Sequence, residues 1–291
     1  MINFKSIEID DKDIFQKYYD INKDVSSEYD FATLFAWEEM YATQYAEVNN
    51  CLCVRNMDGY MYPIGKKADV KPALIKLKED AASINRKFKL ISITERMLGE
   101  LKEFNICDNK FDVISRRDLF DYIYLRENLA TLSGKKLHGQ KNHYNFFVKN
   151  NGYEFVDIDG TNENGCIEKL KGLIFERSLN PEKELFATLK VLKYRGQLGF
   201  ISKCLIVNGE IVGIIMAEKQ HGTMLIQIAK SDVKYRGAAV ALFKLFCESY
   251  FTECEYVNFM EDMGIEGLRK MKLSYSPVKM VEKYLFCSDG E

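Results

Sequence analysis

Between Ser133 and Lys149 the chain carries four lysines (Lys135, Lys136, Lys141, Lys149), two histidines (His138, His143) and no acidic residue. In a protein whose formal net charge is only −2, that local excess of cations is suited to holding an anion such as a phosphate, a lipid headgroup or RNA. A solvated basic face is the competing explanation, and four lysines do not by themselves name a ligand. Other chemistries find less support. The eight cysteines contain no CxxC pair and mostly sit in apolar runs such as Cys204-Leu205-Ile206 and Leu245-Phe246-Cys247, as buried free thiols do. Three scattered histidines without an HExxH string give no basis for a metal site.

The elements that position the basic stretch follow from residue patterning. Tyr122 to Leu125 reads as a strand, and Leu125, Leu129, Leu132, Leu137, Phe146 and Phe147 can line one face of a helix interrupted at Gly134. Before it, strands are expected at 4–9, 45–48, 51–55, 60–64 and 88–93, with a hairpin formed by 111–116 and 121–125. Helices are expected around 14–21, within the aromatic segment 26–44, and at 71–85 and 95–104. Phe31, Leu34, Phe35 and Trp37 are read as core. After it come a strand at 153–157, helices at 164–178 and 182–192, and a hairpin of 200–207 and 211–219 across Asn208-Gly209-Glu210, one of the clearest turn signals in the chain. A strand at 224–229, a helix at 237–251, a strand at 256–260, a helix at 266–271 and a strand at 278–286 complete the order.

With 291 residues, 47% hydrophobic residues and only four prolines, the chain can bury full cores and is unlike a disordered protein. The near-neutral charge excludes a DNA-coating protein. No stretch reaches the roughly 18 apolar residues of a membrane span, and the N-terminus lacks the positive leader and apolar run of an export signal. A cytoplasmic protein with at most peripheral membrane contact is expected. The oligomeric state is left open.

The order of elements after residue 150 resembles the GNAT acyltransferase fold. GNAT proteins hold the pyrophosphate of acyl-CoA on a loop that opens a helix, where unpaired N–H groups and the helix dipole favour an anion. The matching loop is Arg236-Gly237-Ala238-Ala239-Val240-Ala241, with Ala239 where the family has glycine, or, in the other register, Lys234-Tyr235-Arg236-Gly237-Ala238-Ala239, with the glycine present and lysine as the first residue. More specifically, DFATLFAWEE (30–39), YPIG (62–65), DYIYLRENLATLSGKKLHGQKNHYNFF (121–147) and EGLRKMKLSYSPVKMVEKY (266–284) resemble the DUF2156 family, which is similar to the C-terminal domain of phosphatidylglycerol lysyltransferases. That resemblance implies an α+β protein of two tandem GNAT-like domains, each a mixed central sheet flanked by helices, with residues 1–125 in the first and 126–291 in the second. It also implies transfer of an acyl or aminoacyl group from acyl-CoA or aminoacyl-tRNA to an amine or hydroxyl.

Under it, Glu261 and Asp262 are candidate bases, Asp262 equally a helix cap, and Tyr275 a candidate acid for a leaving group. Arg236 to Ala239 would bind phosphate. Lys135, Lys136, Lys141, His143, Arg269 and Lys272 would meet a polyanion, tRNA or an anionic headgroup, although Arg269, Lys270 and Lys272 also suit the exposed face of a short helix. Against turnover stand apolar residues where the family carries polar ones, Phe243 and Met260 among them. The alternative is therefore a degenerate member that binds a phosphorylated ligand or a protein. Phe243 and Met260 are also expected to narrow the slot that a pantetheine arm would need.

Overall fold

The computed structural model describes residues 2–22, 24–106 and 111–288. In chain order its elements are β1 (Lys5–Ser6), α1 (Lys12–Asn22), α2 (Phe31–Tyr41), β2 (Gln44–Val48), β3 (Cys51–Arg55), β4 (Tyr60–Met61), α3 (Lys67–Ser83), β5 (Lys89–Thr94), α4 (Glu95–Phe104) and β6 (Phe111–Ser115). Then follow β7 (Asp121–Leu125), α5 (Arg126–Thr131), α6 (His138–Asn150), β8 (Tyr153–Asp157), α7 (Glu163–Arg177), α8 (Pro181–Leu198), β9 (Ile201–Val207), β10 (Glu210–Gln220) and β11 (Thr223–Ser231). The last are α9 (Ala238–Ser249), β12 (Tyr256–Asn258), α10 (Glu266–Ser274), β13 (Lys279–Val281) and β14 (Lys283–Ser288).

Two compact units result. Met1–Asp121 with Val281–Glu291 form one, and Tyr122–Met280 form the other. The first contains a seven-stranded sheet of order β1-β2-β3-β4-β5-β14-β6, the second a seven-stranded sheet of order β13-β7-β12-β11-β10-β9-β8. Two expectations change. The segments 111–116 and 121–125 are strands but not a hairpin: β6 pairs with β14, whereas β7 pairs with β12. The single strand expected at 278–286 is two, because Glu282 lies outside either ladder and β14 inserts between β5 and β6 in the first sheet. Residues 281–288 thus lie in the first unit, where the expected partition put them in the second.

In the first unit, α2 starts where the Asp30 carboxylate accepts the Thr33 N–H at 2.9 Å, an N-cap that satisfies an otherwise orphaned donor. Phe31, Leu34 and Phe35 are buried, while Trp37 is half-buried. In the second unit the β9–β10 turn uses Asn208 and Gly209 at φ 51° and 80°, as a two-residue hairpin turn requires. α9 packs its apolar face on the sheet through Leu242, whose side chain leaves no room for a Cβ on Gly213, 2.7 Å away. The helix expected after β7 is broken into α5, a single 3-10 turn at Lys135–Leu137, and α6, with Leu132 and Gly134 at positive φ between them. Six of the seven described cysteines are buried, and burial pushes the Cys51 and Cys247 thiols up to about 12; Cys107 lies outside the described residues.

Candidate functional site

The second unit contains the strand arrangement that can open a cleft. β11 and β12 run parallel but pair only through Thr223–Leu225 and Tyr256–Asn258, while β11 continues to Ser231. Past Leu225 the two strands have no ladder between them. The loop from β11 to α9 is tied down at several points. Asp232 donates its N–H to the Val212 carbonyl at 2.8 Å, and its carboxylate accepts the Lys234 N–H at 2.9 Å and pairs with Lys169 at 2.8 Å. Lys169 also reaches Glu210 at 3.1 Å, and Glu210 accepts the Tyr235 hydroxyl at 2.8 Å. The Lys169 hydrogen bond is the main cause that lowers the Asp232 pKa below its usual value.

At the head of α9, Gly237 has φ +91°, a conformation that favours glycine. A Cβ placed there would lie 2.2 Å from the His143 carbonyl oxygen and 3.0 Å from the Phe147 Cβ. α6 therefore closes this side of the loop with a backbone carbonyl. Phe147 is fully buried, which fixes α6 in place. Arg236 is exposed and sets its guanidinium over the Phe146 ring at 4.7 Å. Ala238 donates its N–H to the Tyr235 carbonyl at 2.9 Å, and Ala239 is absent from the positive-φ residues, so its Cβ is accommodated without strain.

Between α9 and the sheet lies a cluster of buried aromatic rings. Phe243 stacks on Phe259 at 4.4 Å, Tyr124 lies 4.4 Å from Phe259, and Tyr275 meets Phe243 and Phe259 edge-on at 5.4 and 5.9 Å. All four are buried. Burial first, and the neighbouring Cys247 second, push the Tyr275 hydroxyl well above the usual tyrosine value, so it is a poor proton donor. Phe243 packs within this ring cluster. Met260 does not join the stack: it is half-exposed, with φ +59°, and its carbonyl accepts the Tyr122 N–H at 3.2 Å.

The other expected site residues are engaged by the chain itself. Asp262 is fully buried; its oxygens receive Arg269 Nε and Nη2, both at 2.9 Å, Tyr122 Oη at 2.5 Å and the Gly264 N–H at 2.8 Å. Burial alone would raise this carboxyl, but the Arg269 and Tyr122 hydrogen bonds outweigh it and hold the group at about 2. It is a weak base and a strong structural anchor. Lys272, expected to face a polyanion, is buried instead and donates to the Phe259 carbonyl at 2.6 Å and to the Glu261 carbonyl. Arg269 faces Asp262, and Lys270 pairs with Glu266 at 2.6 Å. Glu261 is half-buried, and among the described residues its carboxylate makes no ion pair.

A consequence for pH follows. The Asp262 pKa is depressed on folding from 3.8 to about 2, so its contribution to stability is complete above pH 3.8 and declines as pH falls toward 2. The Asp262→Asn variant is expected to lose about 2–4 kcal/mol at neutral pH, with the gap to wild type closing in acid. Urea midpoints measured from pH 6 down to 2 that showed a constant gap would refute the assignment.

Lys135, Lys136, Lys141 and His143 are all exposed on the 3-10 turn and α6. Among the described residues none of them forms an ion pair, and the contact at Gly237 brings this strip beside Arg236. Sequence reading missed one polar row. Glu218 on β10 is opposite Leu225, which is opposite Asn258; Glu218 is buried and accepts the Gln227 amide at 2.7 Å. Gln227 is the extra residue of a bulge between Met216↔Ile228 and Ala217↔Ile226, a device that re-aims a side chain. Asn258, fully buried, accepts the Met260 N–H at 2.6 Å. The available signal was a glutamate inside the apolar run of β10.

Two seven-stranded sheets flanked by helices, with a parallel strand pair that parts ahead of a loop-to-helix junction, define the tandem GNAT-like α+β architecture found in solved tandem GNAT proteins. Residues 20–287 match the family described as phosphatidylglycerol lysyltransferase, C-terminal, and the chain belongs to that family. A crystal structure of a conserved protein from Bacteroides thetaiotaomicron is similar at TM-score 0.92 and 32% identity, covering 99% of this chain and 100% of that one. The structure of L-PGS from Bacillus licheniformis is similar at TM-score 0.62 and 17% identity, covering 92% of this chain and 95% of that one. An uncharacterized protein of Mycoplasmoides gallisepticum is 27% identical over 192 residues, which span 63% of this chain and 61% of that protein's length. Among the described residues, no helix is long and apolar enough to cross a membrane.

Proposed function

We propose that this protein moves an aminoacyl group from aminoacyl-tRNA to an amine or hydroxyl, without using CoA. The observation that supports this reading is the close packing at α9: the His143 carbonyl abuts Gly237, in the loop a pyrophosphate would need, and Phe243, Phe259 and Tyr275 pack against one another beneath that helix, leaving on this reading no room for a pantetheine arm. An aminoacyl-tRNA needs neither feature. Its phosphates are matched by Lys135, Lys136, Lys141 and His143, a strip open to solvent. In the transfer, the acceptor attacks the ester carbonyl and gives up its proton, and the tRNA ribose oxygen leaves and is protonated. Glu261 is the carboxylate left to take the acceptor's proton, since Asp262 holds Arg269. The family match and the L-PGS likeness favour a lipid hydroxyl as acceptor. A binding protein without turnover is the second reading, favoured because Asp262, Lys272 and Tyr275 all have structural duties.

Calorimetric titration separates these. Acetyl-CoA is expected to give no heat of binding, and bulk aminoacyl-tRNA to bind at low ionic strength and weaken with salt. Charge reversal in Lys136→Glu/Lys141→Glu should lower tRNA affinity by about tenfold. Micromolar acetyl-CoA binding that disappears in Arg236→Glu would restore a CoA-dependent enzyme. Tight tRNA binding with no transfer to any lipid or amine acceptor would favour the second reading.

A further inference from the structure

Four large apolar side chains of the second unit stand open to solvent around one turn and one loop. Phe175 is 56% exposed, Leu179 69%, Phe186 40% and Val233 67%. Phe175 is in the last turn of α7, Leu179 lies in the connection to α8, and Phe186 is in the second turn of α8. Val233 belongs to the β11–α9 loop, which two links bring to the same place: Arg177 Nη1 donates to the Ser231 carbonyl at 3.2 Å, and Lys230 pairs with Glu184. Apolar exposure gathered in this way marks a contact surface. Its charges point to the partner. Glu184 is engaged by Lys230, and Glu176 lies 3.7 Å from Arg177; Lys183 and Lys234 are exposed and, among the described residues, form no ion pair, and with Arg236 they outnumber the one exposed carboxylate there without an ion pair, Glu182. Past Lys234 the loop runs to Arg236 and, at Gly237, meets the basic strip of α6.

We infer that the α7–α8 turn and the β11–α9 loop dock on an anionic lipid bilayer, with Leu179 and Val233 entering the interface and Lys183, Lys234 and Arg236 meeting headgroup phosphates. Apolar residues carried on turns can enter a headgroup layer, and cations around them add affinity for anionic lipid. A protein partner of ordinary size would need a broader buried surface than four side chains provide. The inference deepens the lipid-acceptor reading by naming a docking face; its variants are read by vesicle binding and not by turnover, so its failure is distinguishable from that of the transfer reaction.

The test is co-sedimentation of the full chain with phosphatidylcholine vesicles, with and without phosphatidylglycerol. Wild type is expected to bind the phosphatidylglycerol vesicles and to be released by salt. Leu179→Asp/Val233→Asp should weaken partitioning by about tenfold or more, and Lys183→Glu/Lys234→Glu should weaken it on anionic vesicles alone. Met57→Asp, at an exposed apolar residue of the first unit, should change nothing. Circular dichroism would verify that each variant is folded. Wild type left in the supernatant, or a Leu179→Asp/Val233→Asp variant that binds as wild type does, would overturn the inference. So would light scattering showing a dimer that Leu179→Asp dissociates, because a second copy would then cover the patch.

Discussion

Replacing Lys283 with alanine is expected to destabilise the first unit by about 3–5 kcal/mol, the range seen when one partner is removed from a buried ion pair. Lys283 is fully buried in β14, and its ammonium lies 2.6 Å from Asp121 Oδ1, 3.2 Å from Ser27 Oγ and against the Glu28 carboxylate. Asp121 is equally buried and accepts the Ser27 N–H and hydroxyl, both at 2.8 Å. Alanine leaves two carboxylates without the cation they share. Lys283→Met preserves much of the apolar volume but not the charge and should fare little better, whereas Lys283→Met with Asp121→Asn should recover part of the loss, because a neutral amide is less costly to bury than an anion. Urea denaturation of the full chain gives the comparison. A Lys283→Ala variant within about 1 kcal/mol of wild type, the scale of an exposed pair, would show that the network contributes little.

The second large effect is expected at Gly237. Alanine there must adopt φ near +91°, and its Cβ would lie 2.2 Å from the His143 carbonyl oxygen. The torsion alone costs about 1–2 kcal/mol. The overlap with a backbone atom cannot be relieved by a rotamer change, so α6 must move away from α9 or the loop must refold. A loss of about 3 kcal/mol or more is expected in total. Gly134→Ala is the control: its φ is +88°, but nothing lies within 4 Å of the added Cβ, so only the torsional cost should appear. Equal losses at the two positions would mean that the α6–α9 contact is looser than its geometry.

Much of the fold was legible because local signals and tertiary demands agree. The apolar, β-branched runs of β9 and β10 and the Asn208-Gly209 turn specify that hairpin without reference to distant residues. Less legible was which sheet a strand joins. β6 and β7 look like a hairpin from their proximity, yet β6 is paired by β14, more than 160 residues away in sequence, a choice decided by packing. At the site, Lys270 and Lys272 are alike in type and neighbourhood, but two residues turn a helix by roughly 200°, so one meets solvent and the other the carbonyls of Phe259 and Glu261. Asp262 shows a related limit. Its acidity was visible in the sequence, but the bidentate Arg269 contact that makes it a weak base appears only in three dimensions.

The position of β14 between β5 and β6 bears on the order in which a ribosome delivers the chain. Everything that forms the second unit is synthesised before residue 281, so that unit can complete its sheet without β14. The first unit cannot: until Lys283–Ser288 emerge, the facing edges of β5 and β6 have no strand between them, and Asp121 and Ser27 wait for their ammonium. Open edges of this kind invite pairing with other nascent chains, and the half of the protein that is made first is the half completed last.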